Sequence, residues 1–535
     1  MKEKISIIKI LHMNNQEKSR IIKPSGFTRR NFIHSCTACA ACMAIAPVAL
    51  VTSSCSSSGP KRKVKIRVLY SIHSVVQAIP DWPNIGFDFG PAMERVTGEL
   101  TAHFRDMEFL PAIATGPEDA VKIVEADKSD PVDGYIVYQM NCWNQVIQTV
   151  AKSGKPVIYA DFQFGGSGGF LVYNASLLRQ ENRNTGYVAS SDIRDLIAAV
   201  NCFRIIGKGG TVSEFVAATE RARLKSTPGA KRYKTKVNDI NFLSSDDCVR
   251  HFSESKILAV MDQESKVAEP IMGIPLEYIP FSEVNAAWSS ADHDESVSIA
   301  EKWQKNALEV TDVSFETLVT SAAMYLGMKS VLKNRSANAI TMNCLGGFYG
   351  GHIHAYPCLG FHELCNEGLV GGCECDIRSA ATMLAFSTMT RGRPGFISDP
   401  VIDTSKRQII YAHCVAPNRV FGPEGETNPF RIMTHSEDRS GASVQSILPV
   451  DYLTSTLEIN NEKKEILFHQ AVSVDNDPDD RACRTKLCAE PLGDIEKLFT
   501  MWDNWGWHRV TFYGDLRDPV NALADRIGWK VIEEA

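Results

Sequence analysis

The chain is predicted to be an α/β protein, with two doubly wound α/β domains followed by a β-rich C-terminal domain. From Lys63 to about residue 390, apolar β-type runs alternate with segments of helical period, the pattern of a parallel sheet covered by helices. After residue 400 helices become scarce and short strands succeed one another. With 535 residues, 44% hydrophobic and 22% charged, the composition is that of a soluble globular chain of two to four domains. It excludes a disordered, collagenous or multi-span membrane protein.

Charge narrows the partners. Lys and Arg number 57 against 63 Asp and Glu, a net charge of −6. Residues 1–54 hold eight basic and two acidic side chains, so without them 49 basic groups face 61 acidic ones, a net −12. A body that acidic repels phosphate backbones and anionic lipid, and no nucleic-acid partner is expected.

The first segment, 1–60, reads as an address and tether. Thr28-Arg29-Arg30-Asn31-Phe32-Ile33 precedes an uncharged, mostly apolar run from Thr37 to Val51, too short and too broken by Pro47 to span a bilayer. The pattern resembles a bacterial twin-arginine export signal, which implies passage through the twin-arginine translocon to the periplasm or cell envelope, with the chain already folded. Cys55 is a candidate acylated first residue of a lipoprotein, although Thr52 stands where such signals usually carry Leu.

The first α/β domain is expected over 61–205. Val64 to Tyr70 is a strand, Pro91 to Phe104 a helix, and Thr115-Gly116-Pro117-Glu118 opens another helix with capping-box spacing. A buried strand at Tyr135 to Met140, a helix at Asn144 to Ser153 and a strand at Pro156 to Phe162 follow. Gly165-Gly166-Ser167-Gly168-Gly169 lacks the spacing of a dinucleotide fingerprint or phosphate loop and reads as a flexible or sugar-facing loop. A second α/β domain over 206–390 carries Glu374. The β-rich domain over 391–535 carries Asp399, His413 and His508, with strands at Gln408 to His413, Ser455 to Ile459 and Glu465 to Val472. Of the fifteen cysteines, those in the body read mostly as buried thiols, with Cys483 and Cys488 the pair best placed for a bridge.

The segment richest in chemistry is Gly371-Gly372-Cys373-Glu374-Cys375-Asp376. Asp376 is a good N-cap, and Ile377, Ala380, Ala381 and Leu384 recur at helical spacing, so a helix starts just after Glu374 and is stopped by Gly392 and Pro394. Gly395 to Pro400 is then a short strand bearing Asp399. Glu374 and Asp399 bracket one helix, each near the carboxyl end of a strand, where open α/β sheets place ligands. Converging carboxylates repel unless a cation or proton intervenes. Oxygen donors with one or two imidazoles suit Mn²⁺, Mg²⁺, Co²⁺ or Fe²⁺ better than a thiolate-type zinc site. His413 ends one β-type run and His508 precedes another. The soft-ligand run His352, His354, Cys358, His362, Cys365, Cys373 and Cys375 contains no CxxC pair and is read as packing.

Tyr356-Pro357-Cys358-Leu359, Cys373-Glu374-Cys375-Asp376, Arg393 to Pro400, Ala412-His413-Cys414 and Asn504-Trp505-Gly506-Trp507-His508 resemble the L-fucose isomerase and L-arabinose isomerase superfamily, nearest its fucose-isomerase-like branch. The likeness covers about the last 200 residues, and the amino-terminal half agrees only in its α/β pattern. It implies Mn²⁺ held by Glu374, Asp399 and His508, with His413 placed like the further histidine of arabinose-type members. The implied reaction is aldose–ketose isomerisation through an ene-diolate, with Glu374 and Asp399 as ligands and proton carriers, a small sugar as substrate and a homo-oligomeric assembly. His435, Trp505 and Trp507 are candidate substrate contacts. The rival reading is an exported carbohydrate-binding protein that kept the fold without turnover.

Overall fold

The computed structural model describes residues 62–181 and 183–535. The twin-arginine motif, Cys55 and the 1–60 leader lie outside the described residues. Among the described residues no helix is long and apolar enough to cross a membrane.

The first sheet comprises β1 (Val64–Ser71), β2 (Met107–Ala114), β3 (Gly134–Gln139), β4 (Val157–Asp161) and β5 (Thr185–Val188). All pair in parallel, in the order β2-β1-β3-β4-β5. These strands are apolar on both faces because helices cover both faces. Ile66, Val68, Ile136 and Ile158 enter one core, while Leu69, Val137 and Tyr159 enter the other. The helices Phe203–Gly207 and Val212–Ser226 pack on this sheet too, with Phe203, Phe215 and Val216 in the core that holds Val68.

The glycine run at 165–169 departs from its expected loop. Gly165 and Gly166 turn the chain into the helix Ser167–Leu178, which begins within the run. A Cβ on Gly166 would stand 2.2 Å from the Gln139 carbonyl oxygen, and one on Gly165 2.5 Å from that of Met140. The missing side chains let this turn press against the end of β3.

The second sheet comprises β6 (Ile257–Met261), β7 (Lys266–Ile271) and β8 (Ile274–Pro280). A short β9 (Val310–Thr311), outside this sheet, precedes its last two strands, β10 (Ala339–Met342) and β11 (Val370–Gly372). The order is β11-β10-β6-β8-β7, parallel except for the antiparallel edge strand β7.

The last third adds β12 (Phe396–Asp403), β13 (Gln408–His413), β14 (Phe430–Met433), β15 (Ser443–Ser446), β16 (Leu453–Asn460), β17 (Glu465–Asn476), β18 (Thr485–Pro491), β19 (Arg509–Tyr513) and β20 (Lys530–Glu533). Strands β14 and β15 pair with β9 in a small separate sheet. The order β16-β19-β12-β13-β18-β17, with β17 pairing back onto β16, closes an antiparallel barrel, and β20 lies parallel on β17. The fold is thus mixed α/β with two largely parallel sheets and a C-terminal antiparallel barrel.

Two expectations change here. The strand bearing Asp399 does not stop at Pro400 but runs to Asp403. Its pairing with β19 covers only Phe396 to Ser398, so at Pro400 that flank has no ladder partner and the missing N–H costs no bond there. All eleven cysteines among the described residues are free, including Cys483 and Cys488. Cys483, in the loop before β18, meets Ser436 Oγ at 3.8 Å through its Sγ, while Cys488 lies within β18 opposite Ile410.

The helix Ile377–Met389 joins the layers. It is buried on almost every side, with Ala380, Met383, Leu384 and Phe386 in one core with Ile340 of the second sheet and Leu457, Val510 and Phe512 of the barrel. A sheet on either flank explains why its apolar residues are not confined to one stripe.

Candidate metal centre

Glu374 enters the site from the turn after β11, Asp399 from the middle of β12, His413 from the end of β13, and His508 from the residue before β19. Barrel register aligns the last three. Asp399 is opposite Ala412, and Ser398 is opposite Arg509, so each histidine is one residue from a partner of this short stretch of β12. The turn after β11 is strained, with Glu374 and Cys375 in left-handed backbone at φ 60° and 51°. That conformation disfavours side-chain-bearing residues by about 1–2 kcal/mol each, and it is held by the protein around it. The Glu374 N–H donates to Cys344 Sγ at 3.4 Å, and the Cys375 N–H donates to the Met342 carbonyl at 2.8 Å.

One donor atom from each of Glu374, Asp399, His413 and His508 lies within 4.8 Å of the others. His508 Nε2 is 3.2 Å from Asp399 Oδ1 and 3.7 Å from Glu374 Oε2, while His413 Nε2 is 3.9 Å from Glu374 Oε1 and from Asp399 Oδ2. Both Nε2 atoms are buried, and neither has a partner in hydrogen-bond geometry among the described residues. Two carboxylates and the orphaned nitrogen of His508 fit one hard divalent cation in donor chemistry and spacing, and the orphaned nitrogen of His413 lies within reach of the same position. Among the described residues this is the one such grouping, so the soft-ligand run around His352 to Cys375 forms no zinc cluster.

Electrostatics agree. Burial, followed by the Asp399 carboxylate, pushes Glu374 up to about 8. Burial disfavours the His508 cation, but Asp399 and Asp376 overcome it and hold that imidazole well above its usual range. Asp399 is held below the ordinary carboxylate range because His508 outweighs its burial. His413 goes the other way, pushed down by burial to about 4. Positive charge is in demand among these carboxylates, and a proton on His508 supplies it where a cation would.

Supporting groups fix His508 in place. Its Nδ1 donates to Asp376 Oδ2 at 2.9 Å. Arg509 collects the carbonyls of Gly506 and His508 at 3.1 and 2.8 Å, and Trp502 Nε1 donates to the Trp507 carbonyl at 3.1 Å. Gly506 takes φ 78°, which lets the Trp505-Gly506-Trp507 turn present His508.

The three other candidates part company. Trp507 lies at the site, its ring centroid 5.4 Å from that of His508, and it favours the charged form of the Glu374 carboxyl against burial. Trp505 is buried at 4% exposure with Lys463 over its ring. His435 pairs locally with Asp438 at 3.1 Å. Burial opposes its charge, but the bond to Asp438 and nearby acids raise it to about 9.

Several neighbours of the site went unassigned in the sequence. Trp143, 45% exposed in left-handed backbone, meets Trp507 at 5.9 Å and Tyr173 at 6.0 Å. Glu437 is driven well above its usual range by burial, with Glu374 among the charges adding to it. The segment between β1 and the helix Gly90–His103 reaches this rim, where the Ile85 N–H donates to the Glu437 carbonyl at 2.6 Å. Asp376 was legible only as a helix cap; an acid two positions after a ligand was the signal for its second role.

No protein-family model matches the chain. In sequence it is similar to the sulfoquinovose isomerases of Priestia aryabhattai and Priestia megaterium, each 23% identical over 159 residues, which cover 30% of this chain and 34% of the relative. It is also similar to that of a Clostridium species, 24% identical over 225 residues, covering 38% of this chain and 46% of the relative. The chain thus spans from about a third to just under half the length of the curated relatives it matches. A solute-binding protein of Bacillus halodurans with bound myo-inositol aligns at 14% identity over 55% of this chain and 83% of that one, but its TM-score of 0.17 carries no argument. The likeness in sequence is therefore a distant one, to enzymes that isomerise a sugar.

Proposed function

We propose that this chain is a divalent-metal-dependent aldose–ketose isomerase of fucose-isomerase type. The observation that carries the reading is the meeting of Glu374, Asp399, His413 and His508, from four separate stretches of chain, within 4.8 Å. The distant similarity to sulfoquinovose isomerases supports the same reaction class.

Mn²⁺, or Mg²⁺, Co²⁺ or Fe²⁺ in its stead, would be held by Glu374, Asp399 and His508. When bound, such an ion is a Lewis acid that orients neighbouring sugar oxygens and offsets the charge of an ene-diolate. The chain's own residues do the rest. Glu374 and Asp399 take the proton from C2 of the open-chain sugar and return one to C1, work suited to carboxylates whose environments push their affinities for a proton apart. Trp507 beside Glu374 favours the charged form of its carboxylate. Asp376 fixes the tautomer of His508. Trp143 and Trp507 provide an aromatic wall for the apolar face of a sugar.

The test is to incubate the chain with Mn²⁺ and a panel of aldoses that includes L-fucose, L-arabinose and sulfoquinovose, and to assay ketose. Conversion abolished by EDTA and by Glu374→Gln is expected. Sugar binding without conversion by the unaltered chain would favour the non-catalytic carbohydrate-binding reading.

A further inference from the structure

The two imidazoles of the centre differ in what their outer nitrogens do. His508 Nδ1 faces a carboxylate, Asp376 Oδ2 at 2.9 Å, so it keeps its proton, and the proton on Nε2 is the one a cation would displace to reach a lone pair. His413 Nδ1 instead faces a donor, the backbone N–H of Cys414 at 2.9 Å. An amide N–H can only donate, so His413 Nδ1 must be bare. A neutral imidazole carries one proton, which then sits on Nε2. That nitrogen is buried in a side chain 2% exposed, has no hydrogen-bond partner among the described residues, and lies 3.9 Å from both Glu374 Oε1 and Asp399 Oδ2.

Binding a cation through Nε2 would require the His413 proton to move to Nδ1, where it would oppose the Cys414 N–H. Metal-bound imidazoles do the reverse, donating the outer N–H to a carboxylate or carbonyl, as His508 does. Resting on the isomerase reading above, we infer that His413 is not a metal ligand but a neutral hydrogen-bond donor, whose Nε2–H is directed at the sugar oxygen that gains negative charge during isomerisation. A neutral donor aimed from a dry wall at such an oxygen stabilises it as an oxyanion-hole group does. Glu374, Asp399 and His508 then remain as the protein ligands.

The tautomer and the metal affinity are read without turnover, and the donor role with it. In the metal-free full-length chain labelled with ¹⁵N-histidine, ring correlations are expected to place the His413 proton on Nε2, and a proton on Nδ1 overturns the inference. Titration followed by the Mn²⁺ paramagnetic resonance signal is expected to show about 10–100-fold weaker binding for His508→Gln. His413→Gln should stay within about 3-fold of the unaltered chain in Mn²⁺ affinity, while its kcat falls by about 100–1,000-fold with little change in KM, as a lost donor to a developing charge predicts. Equal loss of Mn²⁺ affinity in both variants overturns the assignment. An unaltered chain that binds Mn²⁺ yet converts no aldose would overturn the isomerase reading alone, because tautomer and affinity are both read without sugar.

Discussion

The Asp376 carboxylate serves His508 and a helix at once. Its Oδ2 accepts from His508 Nδ1 at 2.9 Å, and its Oδ1 accepts from the Ser379 N–H at 3.1 Å, capping the helix Ile377–Met389. The imidazole that faces the candidate metal position is thereby tied to the first turn of the helix that joins sheet and barrel. Asp376 is held down at about 2 despite its burial, because the hydrogen bond and charge of His508 outweigh it.

The two duties separate by substitution. Asp376→Asn keeps a good capping oxygen, so stability should change by less than about 0.5 kcal/mol, while Mn²⁺ affinity falls about 10–100-fold with the loss of the charged partner. Asp376→Ala should lose the same affinity and about 1 kcal/mol of stability as well. Thermal melts beside Mn²⁺ titrations read both. Unchanged affinity in both variants would remove Asp376 from the centre's support.

Behind the site lies a buried ion network that makes stability depend on acid. Glu534, 1% exposed, accepts from Arg509 Nε and Nη2 at 3.0 and 2.7 Å and from His469 Nδ1 at 2.8 Å. Burial opposes its charge, but Arg509 and His469 hold it down at about 2, against an ordinary 4.5. A depressed carboxylate stabilises fully above its unfolded value, and that contribution fades as pH falls from 4.5 toward about 2. The amount at stake is about 3 kcal/mol. In urea unfolding, the gap between the unaltered chain and Glu534→Gln should be widest near neutral pH and shrink below about pH 4.5. A gap that stays constant down to about pH 3 would contradict the network.

Gly166 tests the packing of the first sheet against the turn that opens the helix Ser167–Leu178. A Cβ there would stand 2.2 Å from the Gln139 carbonyl oxygen and 2.6 Å from its carbon, both backbone atoms that cannot swing away. Gly166→Ala should cost about 3 kcal/mol, whereas Gly154→Ala, at φ 70° with open space around it, should cost about 1 kcal/mol. Denaturant midpoints distinguish them, and equal small losses would show that the turn yields.

Trp143 should matter for sugar rather than for metal. It is exposed and meets Trp507, which in turn packs on His508. Trp143→Ala is expected to raise KM about 3–10-fold, the scale of one lost aromatic contact, with Mn²⁺ affinity unchanged. Steady-state kinetics with a parallel Mn²⁺ titration decide it, and a loss confined to Mn²⁺ affinity would count against the aromatic wall.

Much of this architecture is written locally. The start of the helix Ile377–Met389 follows from Asp376 and the spacing of Ile377, Ala380, Ala381 and Leu384, because capping and helical period act within a turn or two of chain. The strands of the first sheet follow likewise from short apolar runs between turn residues, and Glu374 and Asp399 stand out as acids bracketing one helix. Other features have no local signature. Pro400 lies inside a strand because β19 ends its pairing before that point, and the glycines at 165 and 166 matter because β3 lies beneath them, not because a loop must flex. The tautomers of His413 and His508 depend on which group each ring meets, a backbone N–H next in the chain or a carboxylate 132 positions away. Burial period and end-capping are short-range and survive in the order of residues. Barrel closure and the partner of each buried nitrogen arise only when distant strands share one core, since only there does an unpaired polar atom become costly enough to select its neighbour.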